Sequence, residues 1–79
     1  MNTMTIRLST VSDVKNFVNT IMLTDCELDI VADRFVVDAK SIMGIFSLDL
    51  SKPLTLRIHT DRDELAQQVA EKVKNYREG

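Results

Sequence analysis

Ser41 is the residue whose surroundings come nearest to a chemical signature. It opens the run Lys40-Ser41-Ile42-Met43-Gly44-Ile45-Phe46-Ser47-Leu48-Asp49-Leu50, and a serine at a helix start acts as an N-cap by accepting a backbone N–H. A hydroxyl in that position can also carry phosphate. The added charge would sit at the positive end of the helix, with Lys40 beside it. The other candidates are weaker. His59 is the sole histidine and Cys26 the sole cysteine. His59 ends an alternating segment and reads as a solvated side chain on a polar strand face, with a nucleophilic role as the alternative. Cys26 has no nearby histidine or lysine to activate it and reads as a small buried hydrophobe. The acidic groups Asp61/Asp63/Glu64 and Glu27/Asp29 read as helix caps and a solvated sheet face. No second histidine exists and no loop has calcium-ligand spacing. We therefore expect no metal, no cofactor, no acid–base dyad and no enzymatic activity.

Bulk composition bounds the rest. The chain has 79 residues, with 44% hydrophobic and 28% charged side chains. That suits one globular domain, 1–79, and argues against disorder. A net charge of −2 leaves no basic footprint for nucleic acid. The lone cysteine excludes an internal disulfide and points to a reducing compartment. No apolar run approaches a membrane span, and Met1 to Arg7 lacks the pattern of a signal peptide. A soluble cytoplasmic protein is expected.

The elements that position these residues follow from periodicity. Thr3–Leu8 alternates, with Met4, Ile6 and Leu8 on one face, and reads as a strand. Thr10 and Asp13 resemble a capping box, opening an amphipathic helix over Val11–Leu23 with Val11, Val14, Phe17, Val18, Ile21 and Met22 as its stripe. Cys26–Ala32 and Phe35–Ala39 form a hairpin around Asp33-Arg34, with Phe35, Val37 and Ala39 sharing the buried face of Leu28 and Ile30. A short helix over Ile42–Leu48 follows. On it Ile45, Leu48 and Leu50 point inward, while Ile42, Met43 and Phe46 point outward as a docking surface. Leu54–His59 is a fourth strand after the Ser51-Lys52-Pro53 loop. Asp61 and Glu64 are spaced as a cap for the last helix, whose stripe is Leu65, Val69, Val73 and Tyr76, with Ala66 and Ala70 at its edge. The order β-α-β-β-α-β-α predicts an α+β fold, an open-faced two-layer β-sandwich with helices on one face of a four-stranded antiparallel sheet. The other face, bearing Thr5, Arg7, Glu27, Asp29, Thr55, Arg57 and His59, should meet water.

This order, together with Lys40-Ser41-Ile42-Met43-Gly44-Ile45, resembles HPr, the phosphocarrier of the bacterial sugar phosphotransferase system. The six-residue run is similar to that family's regulatory-serine segment, and a weaker likeness extends from about Thr3 to Tyr76. The resemblance implies the open-faced sandwich, phosphorylation of Ser41 by an HPr kinase/phosphorylase, and docking on a catabolite-control transcription regulator through Lys40, Ile42, Met43 and Phe46. The family's second motif, Gly-x-His-x-Arg-Pro before the first helix, is missing. The segment here is Ser9-Thr10-Val11-Ser12-Asp13-Val14-Lys15, with no imidazole to carry a labile phosphoryl group. In this the chain resembles Crh-type members, which keep only the regulatory serine. The expectation is a non-catalytic, partner-binding HPr-like protein without nucleic-acid or membrane contacts. Two alternatives stay open: a phosphocarrier using another acceptor such as His59, and a repurposed interaction module with no phosphorylation role.

Overall fold

Alternating apolar residues build the sheet, and the helices close over the face where those residues collect. The computed structural model describes residues 2–78; Met1 and Gly79 of the expected domain lie outside it. The elements are β1 (Asn2–Ile6), α1 (Val11–Ile21), β2 (Glu27–Ala32), β3 (Phe35–Asp38), α2 (Ile42–Phe46), β4 (Leu54–His59) and α3 (Asp63–Lys72), followed by a 3₁₀ turn at Lys74–Tyr76. The four strands are ordered β1-β4-β2-β3, and every pairing is antiparallel. This is the predicted open-faced α+β sandwich.

Leu54, Leu56 and Ile58 of β4 lie buried beside Ile6 of β1 and Leu28 and Ile30 of β2. Val14, Phe17, Val18 and Ile21 of α1, Ile45 of α2, and Ala66 and Val69 of α3 cover them. Each fully buried aliphatic or aromatic side chain contributes roughly 1.5–3 kcal/mol. Tyr76 meets Phe17 edge-on, with ring centroids 5.6 Å apart. The segment after α3 returns to β1: Glu78 N–H donates to Thr5 C=O at 2.9 Å and Arg7 N–H to Tyr76 C=O at 2.8 Å. The Arg7 guanidinium adds bonds to the Glu78 carboxylate at 2.7 and 3.3 Å.

Several details depart from the sequence expectation. α1 stops at Ile21, and Met22 is 45% and Leu23 91% exposed. Met22 sits one residue past Ile21, a rotation of about 100° that carries it off the buried stripe. Val11, at the first helical position, is also exposed. Phe35 does not join the core but is 63% exposed. It occupies the correct face, yet the α2 cover over Val37 ends before the hairpin tip, where Phe35 borders a recess with Ser47 and Pro53. Asp33 takes the left-handed conformation of this two-residue turn, at φ 54°. The Asp61/Glu64 cap does not form. Arg62 is the N-cap of α3 and has no side-chain cap bond, while the Thr60 hydroxyl accepts the Arg62 N–H at 3.1 Å. Val69 and Val73 of the predicted α3 stripe are buried, but Ala66 rather than the half-buried Leu65 is its first enclosed member.

Candidate functional site

β3 ends in a tight connection that delivers Ser41 to the start of α2. Asp38 organises it: its carboxylate accepts the Lys40 N–H at 2.9 Å and its carbonyl the Ser41 N–H at 3.0 Å. The Ser41 hydroxyl then accepts the Gly44 N–H at 3.1 Å, making the predicted N-cap. Gly44 lets the turn close this tightly. A Cβ there would meet Ser41 Oγ at 3.2 Å and Val37 Cβ at 3.3 Å. At the far end of α2, Ser47 donates back to the Gly44 carbonyl at 2.6 Å. Ser41 is half-buried, with its hydroxyl turned into the cap.

The apolar residues of α2 divide much as their spacing implies. Ile45 is fully buried and Leu48 nearly so, whereas Met43 is 80% and Phe46 38% exposed. Ile42 is the correction, since it is half-buried and packs against the core. Lys40 also differs from a free cation flanking the serine. Its ammonium donates to the Thr24 carbonyl at 2.7 Å, tying the start of α2 to the end of α1. The bond joins two segments that both carry exposed apolar side chains: Met22 and Leu23 on one, Met43 and Phe46 on the other. The sequence reading missed Leu23; its signal was a leucine directly before Thr24-Asp25, where a helix ends.

The start of α1 is built differently. Thr10 caps it by accepting the Asp13 N–H at 3.0 Å. The Asp13 carboxylate reaches back to accept the N–H groups of Ser9 at 3.0 Å and Thr10 at 3.2 Å. A negative side chain of the protein itself therefore occupies the donors that precede this helix. A recess beside it is lined by Arg7, Ser9, Asp13, Tyr76 and Glu78. Its arginine is already paired with Glu78. Burial, and then the Asp13 charge, push the Tyr76 phenol up.

His59 is remote from both helix starts in role. It lies on the open face, where Asp29, Arg57 and His59 converge through the β2–β4 register. One Asp29 oxygen accepts from Arg57 at 2.6 Å and from His59 Nε2 at 2.6 Å. An ionised carboxylate offers no proton, so Nε2 carries the hydrogen. Partial burial pushes the Asp29 carboxyl up, but the two hydrogen bonds outweigh it and hold the group below the usual carboxylate range. The solvated histidine expected from sequence is thus a half-buried, partnered one. Cys26 is half-buried against the core rather than fully enclosed.

No protein-family model and no curated protein matches the chain. Solved structures do. HPr-C-His from Thermoanaerobacter tengcongensis matches with a TM-score of 0.74 and 25% identity, over 95% of this chain and 93% of that one. A phosphocarrier protein HPr from Bacillus anthracis str. Ames shares the fold, with a TM-score of 0.65 and 24% identity over 91% and 95% of the two chains. The strand order, the helices on one face and these near-complete superpositions agree: the chain is an HPr-like protein.

Proposed function

We propose that this protein is a non-catalytic, cytoplasmic binding module related to the sugar phosphotransferase system. It docks on partner proteins through Met43, Phe46 and the half-buried Ile42, with Lys40 anchoring the surface and Ser41 as a phosphorylation site. The observation that carries the reading is the Asp13 carboxylate at the start of α1. A phosphocarrier needs free backbone donors and a nucleophilic imidazole at that place. Here the donors hold a fixed negative charge, and Ser9 to Lys15 contains no histidine. A phosphoryl group arriving there would meet repulsion. His59 is engaged by Asp29 on the face away from the helices.

Ser41 suits modification because its cap bond uses the oxygen as an acceptor, a role that phosphate oxygens retain. Met43 suits docking because an unbranched thioether repacks cheaply against different partners. The proposed partners are an HPr kinase/phosphorylase and a catabolite-control transcription regulator.

Incubation with an HPr kinase and ATP, with phosphate located by mass, tests the regulatory half. Label is expected on Ser41, and its absence would remove that half. Treatment with phosphoenolpyruvate and the first enzyme of the system tests the non-catalytic half. No acid-labile phosphate is expected, and phosphate on His59 would overturn it. The half-burial of Ser41 favours one second reading, a module that never uses the serine as a switch. Binding to the regulator would then survive both Ser41→Ala and Ser41→Asp but be lost with Met43→Glu.

A further inference from the structure

β3 is an edge strand, paired with β2 on one side only. The ladder fixes which of its backbone groups are spent. Ala39 N–H donates to Leu28 C=O at 2.9 Å, and the antiparallel register repeats every second residue. Phe35 and Val37 therefore bond inward to β2, while the N–H and C=O of Val36 point away from the sheet. Edges of this kind are normally blunted by lysine, proline or a bulge. Phe35-Val36-Val37 has none of these, and Phe35 is 63% and Val36 53% exposed. The nearest lysine, Lys40, is held on Thr24.

We propose that two copies of this chain pair through their β3 edges, antiparallel about a two-fold axis at Val36. Opposite residues in an antiparallel ladder share a face, so a two-fold pairing must join residues of equal parity. Centring it on Val36 uses the free backbone groups. It sets Val36 against Val36 on the open face and Phe35 against Val37 of the second copy on the helix side. Arg34 then falls opposite Asp38 of the second copy, twice by symmetry. A centre at Val37 would instead oppose Val36 with Asp38. Charge complementarity therefore selects the register. Arg34 is exposed and has no ion pair among the described residues. Asp38 stands beside Asp29 in the β2–β3 register and gains an opposite charge by this pairing. The product is one continuous eight-stranded sheet, about twice the single sheet of four, with both helix layers on the same side. The contact is short, so the dimer is weak and concentration-dependent. It involves neither Ser41 nor Met43, so it stands or falls apart from the proposed function.

Sedimentation of the full chain from micromolar to millimolar concentration, with amide spectra along the dilution, tests the pairing. A monomer–dimer equilibrium is expected, with dilution shifts confined to residues 34–38. Val36→Lys should abolish it. Arg34→Glu should weaken it about tenfold or more by opposing like charges. If Val36→Lys fails to fold, Arg34→Glu in the exposed turn decides alone. A monomer at every concentration would overturn the proposal, as would a dimer indifferent to Arg34→Glu.

Discussion

The starts of α1 and α2, which lie in the same helix layer, solve the same electrostatic problem in opposite ways. At α1 the cap is reciprocal: Thr10 accepts from Asp13, and the Asp13 carboxylate accepts in return. At α2 the cap is one-sided, because the residue three positions after Ser41 is Gly44, which has no side chain to reach back. The first arrangement closes the helix end with the protein's own charge. The second spends that position on close packing, and leaves the Ser41 hydroxyl to cap the helix without a reciprocal acidic partner. The serine that survives near Met43 and Phe46, rather than the crowded start of α1, is thus the better candidate for regulation.

The largest effect that would break this contrast comes from crowding. Gly44→Val should cost about 1–3 kcal/mol, since the new side chain has to push against Ser41 and Val37. Valine at an exposed first-turn residue of α1, Ser12→Val, should stay within about 0.5 kcal/mol. Denaturant titration of both variants checks the asymmetry; equal losses would mean that the α2 turn is not the tighter one.

Asp29→Asn supplies a reference away from both helices. Loss of the charge shared by Arg57 and His59 should cost roughly 1–2 kcal/mol at neutral pH. The sign with pH follows from linkage. The folded-state pKa of Asp29 is depressed, so its stabilisation is present above the ordinary carboxylate pKa of about 4 and is lost as pH falls through the lower folded value. The variant should therefore show a flatter acid limb in thermal melts taken from neutral to low pH. A limb as steep as that of the parent would show that the cluster is not what fails in acid.

Smaller effects sharpen the comparison of the caps themselves. Ser41→Ala should cost about 1 kcal/mol, and Asp13→Ala about 0.5–1 kcal/mol because the N–H groups it releases can turn to water. The smallest change should come from Ser41→Asp, below about 0.5 kcal/mol, since aspartate caps as well as serine. A larger loss in chemical denaturation would mean that negative charge at this position is not tolerated, and would count against a phosphorylated Ser41.

Much of this was readable beforehand wherever one local rule acted alone. Strict alternation located β4 at Leu54–His59, and the Thr10/Asp13 spacing located the start of α1 at Val11. Ser41 was recognisable as a cap and Met43 as exposed for the same reason. Errors came where distant parts of the chain decide. Phe35 shares the predicted face, but the length of α2 leaves it uncovered. The Asp61/Glu64 spacing was right for a cap, yet Thr60 took the Arg62 N–H and moved the start of α3. His59 was placed correctly on the open face. Its bond to Asp29 needs the register between β2 and β4, which no window of sequence contains.

The strand order has a consequence in time as well as in space. Among the described strands β1 pairs with β4 alone, where Ile6 lies across from Leu54; the Thr5 carbonyl accepts from Glu78, and Arg7, just past the strand, donates to Tyr76. β2 and β3 can zip together as soon as both have left the ribosome, while β1 must wait for nearly the whole chain. Closing that long loop is entropically slow. β1 should therefore stay without its strand partner until β4 has been made, and an amide-protection time course would show it closing after the β2–β3 hairpin.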